Sequence, residues 1–237
     1  MSGPILSVRG VSKRFGTLLA VAEVDLDVGE GEKLGIIGPN GSGKTTLINC
    51  ITGVLRPERG RILFAGADVS RLPTYRRARL GMARSFQIPR PFVGISVLEN
   101  LLVPLDYVGK PEDNLGRARE ILRLVGLEAR ADHAAEQLSH LELRKLELAR
   151  ALAAEPRLLI ADEVMAGLSE PEIDEVLNIL IALNASGVTV IMIEHIMHAI
   201  MKFSRRLLCM ETGRIIADGT PQQVGADPEV RKVYFGK

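Results

Sequence analysis

The chain has 237 residues, a length that suits one large α/β domain or a core domain with a smaller inserted subdomain. Its 30 basic residues are balanced by 29 acidic ones, so no basic field favours DNA or RNA, and no nucleic acid is expected as a partner. The two cysteines, Cys50 and Cys209, lack a metal-ligand spacing and indicate buried thiols in a reducing compartment. The N-terminus lacks the features of a secretory signal, and no run of about 18 apolar residues occurs, so we expect a cytoplasmic chain that does not itself span a membrane.

Short strands are predicted at the start of the chain. Within residues 5–28 apolar and polar residues alternate, which is typical of half-exposed antiparallel strands. Residues 33–38 (KLGIIG) differ, because they are largely apolar and run into a glycine-rich turn. This pattern predicts a strand buried on both faces of a sheet, and residues 158–161 (LLIA) and 188–193 (VTVIMI) share it.

Helical patterns separate these buried strands, notably at residues 142–154 and 172–185. Alternating buried strands and helices predict an α/β core with a mainly parallel sheet and helices on both faces. After residue 84, proline-punctuated turns precede helical stretches such as 114–125, which predicts a helical insertion, and the tail from Leu207 returns to strand, turn and strand before a final short helix. The expected organisation is a single domain over residues 1–237, with a core and N-terminal antiparallel β-subdomain in 1–83 and 155–237 and a helical subdomain in 84–154.

The strongest motif is GPNGSGKTT, which follows the predicted strand 33–38 and precedes a helical pattern. It satisfies G-x-x-x-x-G-K-[ST], the phosphate loop of nucleotide-binding proteins. Glycines let backbone N–H groups curl round a phosphate, and the following helix adds its positive end. Lys44 can then reach the β- and γ-phosphate oxygens, and the Thr45 hydroxyl can bind Mg²⁺. The residues expected to bind nucleotide here are Gly38, Asn40, Gly41, Ser42, Gly43, Lys44, Thr45 and Thr46.

An acidic pair follows the predicted buried strand LLIA. A nucleotide hydrolase needs a carboxylate near its metal ion and a group that positions or activates water. Asp162 is therefore expected to hold Mg²⁺, and Glu163 is expected to be the general base. Two adjacent acids can merely begin a loop, but together with a phosphate loop they predict an ATPase or GTPase.

Further segments resemble the ATP-binding cassette (ABC) proteins along nearly the whole chain. The resemblance implies that Phe15 (SKRFG) stacks on adenine, that Gln87 (RSFQ) senses the γ-phosphate and Mg²⁺, and that His195 (MIEH) is the switch histidine. By the same resemblance, Leu138 and Ser139 begin the family's signature segment, whose serine is expected to cap the nucleotide of a partner cassette. Each residue also has a plainer interpretation: Phe15 as a core or strand aromatic, Gln87 as a solvated loop residue, and His195 as a hydrogen-bonded histidine at a strand end.

Two segments resemble the cassette subunits of importers for branched-chain amino acids and of their relatives for urea and amides. They are GMARSFQIPRPFVGISVLENLLV and the closing IIADGTPQQVGADPEVRKVYFG. The resemblance implies uptake of such a solute, driven by ATP with Mg²⁺. It also implies integral-membrane subunits and a second cassette, identical or not, as partners, and indirectly a solute-binding protein. The chain is then expected as a peripheral subunit at the cytoplasmic face of the cell membrane.

The signature segment departs from the family pattern LSGGQ or LSYGQ, because this chain reads Leu138-Ser139-His140-Leu141-Glu142. Leu141 adds a side chain where close backbone approach is expected. Glu142 adds a negative charge that, at about 6 Å from a phosphate charge, would cost roughly 3 kcal/mol. Alternatively, Ser139 and Glu142 form an S-x-x-E capping box, and the carboxylate then turns back to its own helix.

The acidic motif departs from the family pattern as well, since Val164 stands where a proline is usual. Residues 166–169 match a segment that the family places at the interface between two cassettes. Ser169 and Glu172 again have capping-box spacing, so interface and capping roles can coexist there.

Three other interpretations compete with the transporter hypothesis. A soluble cassette that regulates or assembles other machinery usually has two fused cassettes or long coiled-coil insertions, and this sequence has neither. The altered signature instead raises the hypothesis of a nucleotide-binding partner that hydrolyses ATP poorly. A zinc site at Glu194, His195 and His198 is disfavoured, because the acid precedes the first histidine instead of lying between the pair as in H-E-x-x-H.

Overall fold

A computed structural model describes residues 3–86, 88–108 and 113–235 of the chain. The strands are β1 (Leu6–Phe15), β2 (Leu18–Val28), β3 (Lys33–Ile37), β4 (Arg59–Phe64), β5 (Ala67–Asp68), β6 (Met82–Ser85), β7 (Leu158–Asp162), β8 (Thr189–Ile193), β9 (Arg206–Glu211) and β10 (Arg214–Gly219). The α-helices are α1 (Lys44–Thr52), α2 (Thr74–Arg79), α3 (Val97–Val108), α4 (Asn114–Leu124), α5 (His140–Ala153), α6 (Glu170–Ala185), α7 (Met197–Phe203), α8 (Pro221–Ala226) and α9 (Pro228–Phe235). Two compact units result: the first unit is Met1–Arg77 with Thr189–Lys237, and the second unit is Ala78–Val188.

An antiparallel sheet opens the first unit, with strand order β2-β1-β4-β5. Leu6 lies opposite Val28 on one side and Phe64 on the other, and all three side chains are buried. From Val24 to Val28 in β2, buried and exposed residues alternate, as expected for a half-exposed strand. Strand β1 is less regular: its register shifts, and Leu6, Ser7 and Val8 are all buried. The predicted N-terminal antiparallel sheet is confirmed.

The second group of strands in the first unit surrounds β3. Strand β3 pairs in parallel with β8 on one side and with β9 on the other, and β10 pairs with β9 in the antiparallel direction. Ile36 lies opposite both Ile193 and Leu208, so the strand is covered by neighbours on both edges and its apolar residues are buried. The carboxyl ends of β3 and β8 lie at the same edge, because paired parallel strands run in one direction. The buried strands predicted at residues 33–38 and 188–193 are confirmed.

Helix α1 follows β3 and is secured at its far end by Arg77, whose side chain is only 1% exposed. The guanidinium donates to the carbonyl oxygens of Cys50 (2.8 Å), Ile51 (2.6 Å) and Leu72 (2.9 Å). A cation at this position satisfies carbonyl groups that the helix leaves without an internal partner and complements the negative end of the helix dipole. Arg77 therefore fixes the orientation of the helix that begins at Lys44.

The cysteine side chains are buried, as the sequence predicted. Burial raises the pKa of both the Cys50 and the Cys209 thiol to about 11. Both groups are therefore protonated near neutral pH and pack as small apolar side chains.

The second unit contains a strand pair, β6 and β7, and a set of helices. Strand β6 pairs with β7 in parallel, with Met82 opposite Leu158 and Ser85 opposite Ala161. The sequence did not predict β6, because it has only four residues and one of them is a charged arginine. Its last two residues fall within the segment for which a helical insertion is expected. The strand predicted at residues 158–161 is confirmed as β7.

Helices α3, α4 and α5 pack on one another within the second unit. Their contact faces are apolar: Leu101, Ile121 and Leu148 are among the buried side chains. The helical patterns of the sequence correspond to α4, α5 and α6, with end points that differ by a few residues. Among the described residues, no helix combines the length and apolar character needed to cross a membrane.

Candidate functional site

The phosphate loop connects the end of β3 to the start of α1 and requires glycine at two positions. Gly38 has φ +152°, and a Cβ atom there would collide with the backbone carbonyl of Met210. Gly43 has φ +102°, and a Cβ atom there would collide with the carbonyl oxygen of Ala20. Backbone at positive φ with neighbours this close accepts only glycine. The loop is thus pressed tightly against the chain segments behind it.

Lys44 is the first residue of α1, and its side chain turns into the curve of the loop. The ammonium donates to the carbonyl oxygens of Gly38 (2.6 Å) and Pro39 (3.0 Å), and the residue is only 6% exposed. A buried cation at the N-terminus of a helix, where backbone N–H groups also converge, favours an anion such as phosphate. Around it, Asn40, Gly41 and Thr45 are exposed, Gly43 and Thr46 are half-buried, and Ser42 is buried.

Distant parts of the first unit hold the backbone of the loop. The N–H group of Gly213, in the turn between β9 and β10, donates to the Ser42 carbonyl at 2.9 Å. The Gly38 N–H donates to the hydroxyl of Tyr234 in α9 at 2.5 Å. Sequence reasoning missed both contacts, because 196 residues separate Gly38 from Tyr234 and no local pattern signals their meeting.

Phe15 and His195 also lie in the first unit. Phe15 ends β1 and is 46% exposed, so it is not a core residue, and the Lys13 ammonium lies 5.6 Å from its ring centre. An exposed aromatic ring can stack on a nucleotide base. His195 is exposed and is the second residue after β8, at the edge of the sheet where β3 leads into the phosphate loop. Gln87 lies outside the described residues.

The acid pair lies at the end of β7 in the second unit. Asp162 is buried, and its Oδ2 atom lies 2.5 Å from Nη2 of Arg84 in the neighbouring strand β6. Glu163 follows with φ +49°, a left-handed conformation that residues other than glycine rarely adopt and that is frequent at functional sites. Val164, which replaces the usual proline, is buried. Sequence reasoning missed Arg84, because the strand that carries it was not predicted and 78 residues separate it from Asp162.

The altered signature segment forms the start of helix α5. Ser139 is the N-cap residue: its hydroxyl accepts from the Glu142 N–H at 3.3 Å, and the Ser139 N–H donates to the Glu142 carboxylate at 2.8 Å. The other carboxylate oxygen accepts from Arg130 Nε at 2.8 Å. The backbone hydrogen bond from Ser139 is the main cause of a lowered Glu142 pKa. The predicted capping box is confirmed, and it turns the Glu142 charge back towards its own helix.

A second contact links helix α5 to the loop that follows the acid pair. Arg144 is buried, and its Nη2 atom donates to the Ala166 carbonyl at 3.1 Å.

At the start of α6 the Glu172 carboxylate accepts from both the Ser169 N–H (2.8 Å) and the Ser169 hydroxyl (2.6 Å). The second predicted capping box is therefore also confirmed.

Comparison with known proteins places these features in one family. Residues 21–166 match the family model described as ABC transporter, and residues 214–237 match the model described as branched-chain amino acid ATP-binding cassette transporter. The chain is 37% identical to the high-affinity branched-chain amino acid transport ATP-binding protein LivG of Escherichia coli, with 100% of each chain covered. It has the same identity and coverage with the corresponding protein BraF of Pseudomonas aeruginosa.

Solved structures show the same fold. The ADP conformation of MJ1267, an ATP-binding cassette of an ABC transporter, is 33% identical, with a TM-score of 0.90 and coverage of 99% of both chains. The dimeric post-hydrolysis state of the cassette MJ0796, bound to ADP and Pi, is 26% identical, with a TM-score of 0.82 and coverage of 91% of this chain and 98% of that one. The chain therefore belongs to the ABC transporter family, as an ATP-binding subunit that hydrolyses ATP.

Proposed function

We propose that this cassette energises the uptake of branched-chain amino acids or of a related small polar solute. The observation that carries the proposal is the match of residues 214–237 to a model specific for branched-chain amino acid cassettes. Full-length relatives named for the same transport support it. In the proposed assembly the chain works at the cytoplasmic face of the membrane, on integral-membrane subunits that receive the solute from a solute-binding protein.

The first unit supplies the proposed contacts to ATP. Lys44 pairs with the β- and γ-phosphates, and Phe15 stacks on the adenine ring. The buried ammonium of Lys44 and the exposed ring of Phe15 support these two roles. The remaining proposed contacts come from the loop residues Gly38, Asn40, Gly41, Ser42, Gly43, Thr45 and Thr46, whose N–H groups and hydroxyls suit phosphate oxygens.

Hydrolysis is assigned to Glu163 as the general base, with Gln87 and His195 acting at the γ-phosphate. Thr45, Gln87 and Asp162 are the proposed ligands of Mg²⁺, and their oxygen atoms are the donor type that this ion prefers. The ion would offset the negative charge of the phosphates when bound. In the structure the buried Asp162 carboxylate forms an ion pair with Arg84, so its charge has a cationic partner within the chain.

A second cassette completes the proposed catalytic unit, with Ser139 of one chain capping the nucleotide held by the other. The exposed N-cap position of Ser139 at the start of α5 supports this role, because backbone N–H groups converge there. The dimeric state of MJ0796 supports pairing of cassettes. The partner is either an identical chain or a related one.

The proposed helical subdomain, residues 84–154, also carries an apolar loop that suits a membrane subunit. Ile88, Phe92 and Val93 are exposed. Buried Asn100 fixes this loop: its Oδ1 accepts from the Phe92 N–H at 2.7 Å and its Nδ2 donates to the Phe92 carbonyl at 3.1 Å. Exposed apolar side chains on a fixed backbone are typical of an interaction surface, and we assign this one to the integral-membrane partner.

The signature substitution Glu142→Gln, placed in a Glu163→Gln background, is expected to leave ATP-dependent association of cassettes unchanged within about twofold. The Glu142 carboxylate accepts from the Ser139 N–H and from Arg130, so its charge is already compensated within its own chain. Sedimentation with Mg-ATP at low and high salt measures the association.

Tightening of about tenfold or more that fades at high salt would contradict this prediction, because it would show that the carboxylate repels phosphate. The matched control is Glu172→Gln, which alters the equivalent capping box of α6. Thermal melting of the two variants should reveal similar, small losses of stability, because each weakens one capping box.

The transport proposal predicts that the tagged chain co-purifies with multi-spanning membrane proteins. The purified complex, reconstituted in vesicles with its solute-binding protein, should take up labelled leucine only with Mg-ATP. A complex carrying Lys44→Ala is the control for ATP dependence. Uptake of urea or a short amide in place of leucine would reassign the solute, and a soluble complex without any membrane protein would overturn the proposal in favour of a regulatory cassette.

A further inference from the structure

The first residue of the phosphate loop, Gly38, is held at both of its backbone polar groups. Its carbonyl oxygen accepts from the Lys44 ammonium at 2.6 Å, and its N–H donates to the Tyr234 hydroxyl at 2.5 Å. Gly38 is buried, and a buried N–H requires a partner, since an unsatisfied one costs about 1–3 kcal/mol. Tyr234 meets this need from the C-terminal helix α9.

The two contacts differ in how they respond to nucleotide. Phosphate oxygens compete with the Gly38 carbonyl for the N–H groups of Lys44, because the ammonium is also the group proposed to bind them. The Tyr234 hydroxyl acts on the opposite end of the Gly38 residue, through its N–H. This contact can therefore help to keep the start of the loop in place when Lys44 turns towards phosphate.

The contacts of helix α9 hold the Tyr234 hydroxyl in position. The Asp227 carboxylate accepts from the N–H groups of Glu229 (2.8 Å) and Val230 (3.3 Å) at the start of the helix, and Val230 is buried. Burial raises the pKa of Tyr234 to about 12, so the hydroxyl remains protonated at physiological pH. A neutral hydroxyl on an anchored helix is a fixed acceptor for the Gly38 N–H.

We propose that Tyr234 is a positioning residue of the phosphate loop, through which the C-terminal helix sets the affinity of this cassette for nucleotide. The inference rests on the proposed roles of Gly38 and Lys44 in phosphate binding. It gives the C-terminal segment a role in nucleotide affinity that is exerted within the same chain. The proposal assigns Tyr234 no contact with the nucleotide, and its effect passes through the Gly38 backbone.

The test is Tyr234→Phe in the full chain, which removes the hydroxyl and keeps the ring. Loss of one hydrogen bond should raise the dissociation constants for ATP and ADP about 2- to 10-fold. In the reconstituted transporter the KM for ATP should rise by a similar factor, while kcat at saturating ATP stays within about twofold. Amide hydrogen exchange at Gly38 should become faster in the variant, and in the unaltered chain it should stay slow both with and without nucleotide.

The matched control is Tyr75→Phe, which also removes a tyrosine hydroxyl. Tyr75 lies in α2, the helix whose Arg77 contacts the C-terminal end of α1 and not the phosphate loop. This variant should bind ATP as the unaltered chain does. Unchanged nucleotide affinity in folded Tyr234→Phe, or fast Gly38 exchange in the unaltered chain, would overturn the proposal. Loss of affinity only in step with a large fall in melting temperature would also overturn it, since Tyr234 would then be purely structural. Lys44→Ala is measured in parallel, because it tests the phosphate-loop assignment itself. If that assignment is wrong, Lys44→Ala binds ATP normally; if only the role of Tyr234 is wrong, Lys44→Ala still loses binding.

Discussion

Lys44→Ala is expected to weaken ATP binding by roughly 10²–10⁴-fold, because it removes two charge-assisted contacts to phosphate worth about 1.5–3 kcal/mol each. The side chain is buried inside the loop and touches its carbonyl groups, so its ammonium is already positioned for an anion. The fold should survive, because glycine packing and the contact from Gly213 hold the loop backbone independently of Lys44. Titration with a fluorescent ATP analogue measures the affinity, and thermal melting reports the fold.

The control for this variant is Lys202→Ala, which removes an exposed lysine from α7 in the same unit. It changes the net charge equally and should leave ATP binding unaltered. Normal affinity in Lys44→Ala would refute the assigned phosphate loop. Unfolding of Lys44→Ala would instead show that the buried ammonium is needed for stability of the loop.

Glu163→Gln is expected to lower hydrolysis in the assembled transporter by roughly 10²–10⁴-fold and to leave ATP binding intact, the effect of losing a positioned general base. The backbone of Glu163 is left-handed, and the following Val164 and Met165 are buried. The packing of these neighbours holds the Cα atom of Glu163 in place. Glutamine has the same length and keeps this geometry, but it cannot accept the proton of the attacking water. Release of phosphate and equilibrium binding of ATP are measured separately.

The comparison variant is Glu170→Gln, at an exposed acid of the next helix, and it should hydrolyse ATP at the normal rate. Near-normal turnover of Glu163→Gln would remove Glu163 from the role of base. Loss of Mg-dependent ATP binding would assign it to the metal instead. Slow turnover of the unaltered transporter itself would support the hypothesis of a poorly hydrolysing partner, which the altered signature raised.

Features that depend on neighbouring residues in the chain were predictable from the sequence. The phosphate loop is one contiguous motif between a buried strand and a helix, and the structure has this arrangement at β3 and α1. Both capping boxes were predictable for the same reason, since Ser139 and Glu142, like Ser169 and Glu172, are only three residues apart. Short strand β6 was missed, because four residues that include Arg84 have no apolar pattern.

By itself, then, the sequence determined the fold class and the position of the phosphate loop, because these depend on local periodicity and on motifs within a few residues, and its resemblance to known cassettes indicated the family. Only the tertiary structure decided which distant groups act on them. The pairing of Arg84 with Asp162 depends on the register of β6 against β7, and 78 residues separate the two. The choice between repulsion and capping at Glu142 depended on Arg130, and the contact of Tyr234 with Gly38 depends on where helix α9 packs. Such contacts form only when folding brings separate segments together. Hydrophobic periodicity predicts which face of a segment is buried, but it does not predict which distant side chain will contact that segment.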